Sequence, residues 1–205
     1  AAKKALDYIL PNLESKTVIG IGTGSTSEIF IDLLAVHKHL FKGTVSSSER
    51  STKRLKDLGI KVFDINEVND IPYYVDGADE CDLNHNLIKG GGGAHTKEKI
   101  VATIAKEFLC IIDSSKLVNK LGAFGVPIEV FHEARSFVSR EIVKLGGIPE
   151  LRVGVMTESN NPIVDIRNLD IDDPITMEAS INKIPGVVEN GIFAMRKPNR
   201  VFVGE

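Results

Sequence analysis

The 205-residue chain lacks the features that mark several large classes of protein. It has only two cysteines, Cys81 and Cys110, and neither belongs to a CxxC pair, so we expect both to be reduced rather than joined in a disulfide. Its apolar runs, such as residues 108–112, fall far short of the roughly 18 residues that a membrane-spanning helix needs. The first residues contain no sustained apolar leader segment. We therefore expect a cytoplasmic protein with no membrane partner.

An excess of basic residues is also missing. Lysine and arginine number 25 against 28 aspartates and glutamates, which gives a net charge of −3. Binding to a phosphate backbone needs a concentrated basic face, so a nucleic-acid partner is not expected. With 42% hydrophobic and 26% charged residues, the composition is that of an ordinary globular protein, with enough chain for a medium domain and a small companion.

The first two-thirds of the chain alternates apolar runs with amphipathic stretches. This rhythm is typical of strand–helix–strand units and predicts a doubly wound α/β, Rossmann-like domain with a largely parallel sheet. The helix at 25–40 is expected to start with Ser25 or Thr26 as its cap and to bury Ile29, Leu33, Val36 and Leu40. Strands are predicted at 17–21, 44–46, 61–63, 73–75 and 108–112, and further helices at 51–58 and 96–106.

From Pro127 the rhythm changes to one that is typical of a smaller α+β domain. A hairpin is expected around Asn160–Pro162. The resulting β-α-β-β-α-β order is that of ferredoxin-like domains. Strands are predicted at 128–131, 150–156, 163–167 and 187–193, and helices at 134–145 and 175–183. We thus predict a Rossmann-like catalytic domain at 1–126 and 199–205, with 201–203 as a returning strand, and a ferredoxin-like domain at 127–198.

A glycine-rich turn, Gly20–Thr26, follows the first predicted strand and leads into a helix. A helix N-terminus carries partial positive charge and unpaired N–H groups, so phosphate is a natural ligand there, although a tight turn with a helix cap would also fit. The dinucleotide fingerprint GxGxxG fails in both registers, where Ser25 or Ser27 replaces the third glycine. The chain also contains no Gly-Lys-Ser or Gly-Lys-Thr of a nucleotide P-loop. A small phosphate ester is therefore the expected ligand.

Two further clusters follow predicted strands. Residues 76–80 (Asp-Gly-Ala-Asp-Glu) hold three carboxylates that suit sugar hydroxyls or a metal, although an exposed acidic turn is also possible. Residues 89–99 include four consecutive glycines, whose entropy cost favours close approach of the backbone to a ligand. If Thr96 caps the next helix, Glu98 falls in its first turn, where the helix dipole lowers a carboxylate pKa and favours the charged form that a general base requires. A glutamate that only stabilises the helix is the alternative.

Other candidate site residues carry weaker signals. Lys116, at the end of Asp113–Lys116, can reach a phosphate or be an ordinary surface lysine. Ser46–Glu49 can complete the same rim or form a polar turn. The five histidines show no metal-ligand spacing, so we predict no metal site. No Gly-x-Ser-x-Gly elbow occurs, so no nucleophilic serine is indicated.

The order and spacing of these motifs resemble ribose-5-phosphate isomerase of type A. The resemblance rests on four motifs and extends over nearly the whole chain, including 144–147 and 184–188; the motifs lie at 22–26, 46–49, 76–80 and 89–99. It implies interconversion of D-ribose 5-phosphate and D-ribulose 5-phosphate in the non-oxidative branch of the pentose phosphate pathway. It also implies that no metal or organic cofactor takes part and that the protein forms a homodimer or a tetramer.

The resemblance further implies roles for individual residues. Glu98 corresponds to the base that forms a cis-enediolate, and Asp79, Lys89 and Asp76 are the other implied catalytic residues. The implied substrate-binding residues are Thr23, Gly24, Ser25, Thr26, Asp76, Gly77, Ala78, Asp79, Lys89, Gly90, Gly91, Gly92 and Lys116. His95 departs from the family pattern, where an apolar residue is more usual, and we expect a modest effect on loop packing or pH response.

Two other classes of function use similar scaffolds. A non-catalytic sugar-phosphate sensor would use the same anion-binding loops, and specific DNA binding would favour it. An amino-sugar phosphate deaminase would need a catalytic histidine, and a coenzyme A transferase would need a carboxylate nucleophile. Neither enzyme accounts for Lys89 through Glu98 as a unit, and a shared scaffold does not decide between chemistries.

Overall fold

The structure is a computed structural model that describes residues 1–204; Glu205, the last residue of the predicted first domain, lies outside the described residues. The helices are α1 (Ala2–Ile9), α2 (Ser25–Ala35), α3 (Glu49–Asp57), α4 (His95–Ile104), α5 (Arg135–Lys144) and α6 (Pro174–Asn182). The strands are β1 (Val18–Ile21), β2 (Gly43–Ser46), β3 (Tyr73–Asp76), β4 (Glu80–Cys81), β5 (Leu87–Ile88), β6 (Glu107–Asp113), β7 (Val126–Val130), β8 (Ile148–Met156), β9 (Pro162–Arg167), β10 (Val187–Asn190), β11 (Ile192–Phe193) and β12 (Arg200–Gly204).

One compact unit comprises residues 1–77, 97–114 and the chain from Pro198 onward. Its sheet has the strand order β12-β6-β3-β1-β2, and all neighbouring strands are parallel. Every residue of β1 and β3 is buried, as expected for a parallel sheet covered on both faces. The predicted doubly wound α/β architecture is confirmed, and so is the returning strand at 201–203, which lies within β12 and pairs with β6.

The other compact unit comprises residues 78–96 and 115–197. Strands β7 to β10 form an antiparallel sheet in the order β10-β7-β9-β8, and the chain runs β7-α5-β8-β9-α6-β10. The ferredoxin-like order and the hairpin between β8 and β9 are confirmed. A second sheet, β11-β5-β4, has no counterpart in the sequence prediction, because two-residue strands leave no periodic signal.

These units divide the chain differently from the predicted domain boundaries. Residues 78–96 and 115–126 group with the second unit, whereas the sequence prediction places them in the first domain. Pairing explains the grouping: β5 pairs with β11, and Glu80 accepts hydrogen bonds from the backbone N–H groups of Gly122 and Phe124, both at 2.7 Å. The boundaries at 126/127 and 198/199 stay a prediction.

The predicted buried face of α2 is wrong for Ile29 and Val36, whereas Leu33 is partly buried against the core. Phe30, Ile31 and Leu34 are fully buried, whereas Ile29 is 56% exposed and Val36 is 73% exposed. The helix also ends at Ala35 rather than at Leu40. Two apolar stripes overlap in this segment, and local periodicity cannot select between them. The stripe that packs with the buried residues of α1 and the sheet forms part of the core.

This packing predicts a contrast between two substitutions on one helix. Leu34→Ala should lower the free energy of unfolding by about 2–5 kcal/mol, because it deletes buried methyl groups and leaves a cavity. Ile29→Ala should change it by no more than about 0.5 kcal/mol, because that side chain is mostly exposed. Urea unfolding followed by circular dichroism measures both. Equal losses for the two variants would contradict the packing described here.

Two predicted strands also need correction. Residues 61–63 form only a single bridge, between Val62 and Thr44, before the chain turns into the 3₁₀ helix Ile65–Glu67. The predicted strand 187–193 is divided at Gly191 into β10, which pairs with β7, and β11, which pairs with β5. The chain thus leaves the first of these sheets at Gly191 and joins the second.

Candidate functional site

The predicted phosphate loop lies at the carboxyl ends of the strands of the first sheet, at the point where the strand order reverses. From β1 the chain adds β2 on one side, while β3, β6 and β12 lie on the other. Open α/β sheets bind ligands beyond the carboxyl ends of their strands at such a switch point. Here the loop from Gly22 to Thr26 follows β1, and Asp76 ends β3 immediately before Gly77. The structure thus brings these sequence-predicted site residues together.

Asp76 is buried and organises this loop. Its Oδ1 accepts hydrogen bonds from the N–H groups of Thr23 at 3.0 Å and Gly77 at 2.7 Å, and from the Ser27 hydroxyl at 3.2 Å. Its Oδ2 accepts from the Tyr74 hydroxyl. A carboxylate surrounded by fixed donors on both oxygens holds neighbouring backbone in place. The exposed acidic turn that the sequence left open as an alternative is therefore wrong for Asp76.

Tyr74 is the buried phenol whose hydroxyl donates to Asp76. Burial raises the pKa of Tyr74 well above its ordinary value, and the nearby negative charges of Asp76 and Glu98 raise it further. The phenol therefore stays protonated at neutral pH and remains a hydrogen-bond donor. The sequence analysis missed this role, because a tyrosine in an apolar strand is usually part of the core.

Hydroxyl groups line the loop beside the start of α2. The Thr23 and Ser47 hydroxyl oxygens are 2.8 Å apart, so the serine-rich turn after β2 adjoins the glycine-rich turn, as the sequence suggested. Ser25 and Thr26 are the first two residues of α2 rather than its cap, which is Gly24 and supplies no side-chain hydrogen bond. The first N–H groups of a helix without a side-chain cap are suited to an anion.

Glu98 lies in the first turn of α4 and is buried. The predicted capping role of Thr96 is wrong, because the helix already begins at His95 and the Thr96 hydroxyl donates to Oε2 of Glu129. Oε1 of Glu129 accepts hydrogen bonds from the Thr157 hydroxyl at 2.8 Å and from the side-chain amide of Asn161 at 2.9 Å. A fully buried carboxylate needs such donors, and the Thr96 hydroxyl is one of them.

The glycine loop of the second unit is held at several points. The Lys89 N–H donates to the Gly191 carbonyl at 2.8 Å, and the Gly91 N–H donates to Oδ2 of Asp79 at 2.8 Å. A Cβ on Gly191 would lie 2.2 Å from the Lys89 carbonyl oxygen, so only glycine permits this approach. Gly90 has a φ of +106°, which favours glycine as well. The sequence prediction singled out this loop but missed Gly191.

The side chains on this loop differ in exposure. Lys89 is buried, with its ammonium group 5.6 Å from the centroid of the Phe193 ring. Gly91 is exposed, and Asp79 is half-buried beside it. Lys116 is half-buried at the end of the 3₁₀ turn Ser114–Lys116. Among the predicted site residues, those of the first unit are Thr23, Gly24, Ser25, Thr26, Asp76, Gly77 and Glu98, and those of the second are Ala78, Asp79, Lys89, Gly90, Gly91, Gly92 and Lys116.

Other features of the described residues bear on the sequence expectations. Cys81 and Cys110 are free and buried, and burial raises the pKa of the Cys81 thiol to about 11. His95 is buried, with its Nε2 3.2 Å from the Glu189 carbonyl oxygen, and a Cβ on Gly90 would lie 2.8 Å from its Nδ1. Within residues 1–204, no three His, Cys, Asp or Glu side chains are grouped to hold a metal ion. None of the helices in that range could span a membrane.

Comparison with known proteins connects this arrangement to one family. Residues 43–205 match the family model described as ribose 5-phosphate isomerase A (phosphoriboisomerase A). A crystal structure of ribose 5-phosphate isomerase A from Neisseria gonorrhoeae is 47% identical with a TM-score of 0.95, covering 100% of this chain and 90% of that one. The enzyme from Methanocaldococcus jannaschii is 39% identical with a TM-score of 0.92, covering 100% and 92%. A D-ribose-5-phosphate isomerase in complex with phospho-erythronic acid is 38% identical with a TM-score of 0.91, covering 98% and 92%.

Proposed function

The chain belongs to the ribose 5-phosphate isomerase A family and is an isomerase, and we propose that it interconverts D-ribose 5-phosphate and D-ribulose 5-phosphate through a cis-enediolate with Glu98 as the base. The observation that carries this proposal is the buried carboxylate of Glu98 in the first turn of α4. A carboxylate held there lies at the positive end of the helix dipole and is withdrawn from bulk water.

The proposed reaction needs one base, which moves a proton from C2 to C1, and transfer of a hydroxyl proton from O2 to O1. Glu98 takes the proton from C2 of the open-chain aldose. The electrons of that C–H bond form the C1–C2 double bond of the enediolate, and the π electrons of the C1 carbonyl move onto O1. Asp79 assists transfer of the hydroxyl proton from O2 to O1 and helps to open the sugar ring. The protonated Glu98 then returns its proton to C1, where the electrons of the C1–C2 double bond form the new C–H bond, and the electron pair on O2 forms the C2 ketone.

Negative charge develops on O1 and O2 during this sequence. Lys89 and the N–H groups of Gly90 and Gly92 are the proposed groups that stabilise it, and donors fixed in such places are typically worth about 10²–10³ in rate each. The Gly91 N–H instead holds Oδ2 of Asp79 in place. The relative that binds phospho-erythronic acid supports this reading. A carboxylate at the end of a phosphorylated sugar chain has the planar pair of oxygens that an enediolate also has.

The proposed phosphate site uses the hydroxyl-lined loop. Thr23 to Thr26 and the first N–H groups of α2 bind the phosphate oxygens, and Lys116 adds a positive charge. Asp76, with Gly77 and Ala78 after it, remains a proposed site residue. Because its carboxylate is buried among the donors described above, we propose that Asp76 acts mainly by holding the loop, and that Asp79 carries the greater part of the proton transfer.

The wider setting is also proposed. A reaction of these two sugar phosphates belongs to the non-oxidative branch of the pentose phosphate pathway, and two free, buried cysteines suit the reducing cytoplasm. Large apolar side chains are exposed along β8, an edge strand, with Val153 84% exposed. Such an edge favours pairing with a second copy, so we propose a homodimer, or a tetramer of such dimers. Sedimentation equilibrium would show a monomer if this proposal is wrong.

The test is isomerisation in heavy water. Purified protein is incubated with ribose 5-phosphate in D₂O with EDTA present, and the carbon-bound hydrogens are followed by NMR. We expect ribulose 5-phosphate with deuterium at C1, because the proton on Glu98 exchanges with solvent before its return. Binding of the sugar phosphate without isomerisation or exchange would overturn the proposal and favour the sensor.

A further inference from the structure

We infer that the Arg152–Asp165 pair is a positioning device that fixes the peptide orientation of the glycine loop. The inference rests on the proposed function for its kinetic consequence, but the contacts that carry it are geometric. Arg152 lies on β8 and Asp165 on β9. Neither residue belongs to the motifs of the sequence analysis.

The pair is bidentate and mostly buried. Arg152 Nε donates to Oδ2 of Asp165 at 2.8 Å, and its Nη2 donates to Oδ1 at 2.6 Å. The two side chains are 17% and 16% exposed. A planar guanidinium bound to a carboxylate through two of its nitrogens has a fixed orientation, which a lysine ammonium cannot reproduce.

The remaining edge of the guanidinium faces the glycine loop. Arg152 Nη1 donates to the carbonyl oxygens of Gly90 and Gly91, both at 3.1 Å. The Gly91 N–H, which belongs to the same peptide unit as the Gly90 carbonyl, donates to Oδ2 of Asp79 at 2.8 Å. The Gly90–Gly91 peptide is therefore held at both ends, by Arg152 and the Gly93 N–H at its oxygen and by the Asp79 carboxylate at its N–H.

Peptide planarity extends this effect to the next unit. In a trans peptide the C=O and N–H bonds point in opposite directions. Because Arg152 also binds the Gly91 carbonyl, the N–H of Gly92 points away from Arg152. Four consecutive glycines have no side chains to restrict them, and fixing each of them has a large entropic cost. The Arg152 guanidinium thus orients the Gly92 N–H, which the proposed reaction uses to stabilise the enediolate, and keeps the Gly91 N–H directed at Asp79.

The second unit provides a matched control. Arg167 on β9 and Glu150 on β8 form another arginine–carboxylate pair across the same two strands, with Nε and Oε2 3.3 Å apart. These side chains are 46% and 56% exposed. Arg167 donates to the Phe124 carbonyl rather than to the glycine loop. Asp165→Asn and Glu150→Gln therefore make the same chemical change in two pairs, only one of which supports the loop.

The experiment compares Arg152→Lys, Asp165→Asn, their double variant and Glu150→Gln with the wild type. For ribose 5-phosphate we expect the first two variants to lower kcat by about 10–100-fold while KM changes by less than about threefold, because the interaction matters most in the transition state. Affinity for phospho-erythronic acid should fall with kcat, whereas affinity for inorganic phosphate should not. The double variant should be no slower than the slower single variant. Glu150→Gln should match the wild type in every respect.

A measurement without turnover separates this inference from the proposed function. Amide hydrogen exchange of Gly91, followed by NMR on glycine-labelled protein, should be at least about ten times faster in Arg152→Lys and unchanged in Glu150→Gln. Unchanged exchange at Gly91 overturns the inference, whether or not the wild type isomerises ribose 5-phosphate. Equal kinetic losses in Asp165→Asn and Glu150→Gln overturn it too. A wild type that lacks isomerase activity rejects only the proposed reaction, since the exchange result still decides the positioning role.

Discussion

Glu98→Gln should reduce turnover of ribose 5-phosphate by at least about 10²–10⁴-fold while the protein still binds the sugar phosphate. A positioned general base contributes this much to a proton transfer, and a neutral amide cannot accept the proton from C2. The side chain keeps its size, so the first turn of α4 should fold as before. Because the hydroxyl, lysine and glycine-loop groups remain, binding should change little and the loss should appear in kcat.

Three measurements check this result. Steady-state kinetics gives kcat and KM, calorimetric titration with phospho-erythronic acid gives the affinity, and NMR in D₂O detects exchange at C2. Glu141→Gln is the control, because Glu141 is a glutamate on α5 that pairs only with exposed Lys144 in the contacts described. Ordinary turnover by Glu98→Gln would reject Glu98 as the base. Loss of both turnover and binding would instead indicate that Glu98 supports the fold.

Gly22→Ala should have the second large effect, on both stability and phosphate binding. A Cβ at this position would lie 1.9 Å from Cγ and Oδ1 of Asp76, so the buried carboxylate must move. Overpacking of this kind typically costs about 1–3 kcal/mol of unfolding free energy. Displacement of Asp76 would also weaken its hydrogen bonds to Thr23 and Ser27 and release the loop that we propose to bind phosphate.

Gly77→Ala is the comparison for stability. The added Cβ there would be 3.6 Å from the carbonyl oxygen of Ile111, an ordinary contact, although the position also adjoins Asp76. Urea unfolding should show a clearly lower midpoint for Gly22→Ala than for Gly77→Ala. Titration with inorganic phosphate should show weaker binding in Gly22→Ala than in the wild type. If both glycine variants unfold at the same midpoint, the close packing of Gly22 against Asp76 is wrong.

The family could be identified from the sequence because its motifs are local. The motifs at 22–26, 76–80 and 89–99 are short segments whose glycines, hydroxyls and carboxylates can be recognised without knowing which residues lie near them in the fold. The alternation of strands and helices is local as well, and it predicted both the parallel sheet and the β-α-β-β-α-β order. Some strand boundaries were also close, as with β6, predicted at 108–112 and found at Glu107–Asp113.

Local patterns in the chain were thus enough to identify the fold class, the family and the segments that carry the candidate site. Tertiary structure decided which partner each residue has: which stripe of α2 is buried, why Thr96 donates to Glu129 instead of capping a helix, and where 187–193 divides between two sheets. It also placed Arg152 against the glycine loop from more than sixty positions away, as the separations of 62 and 61 residues show. Periodicity and propensity act over one or two turns of chain, whereas burial and hydrogen-bond satisfaction depend on groups that only folding brings together.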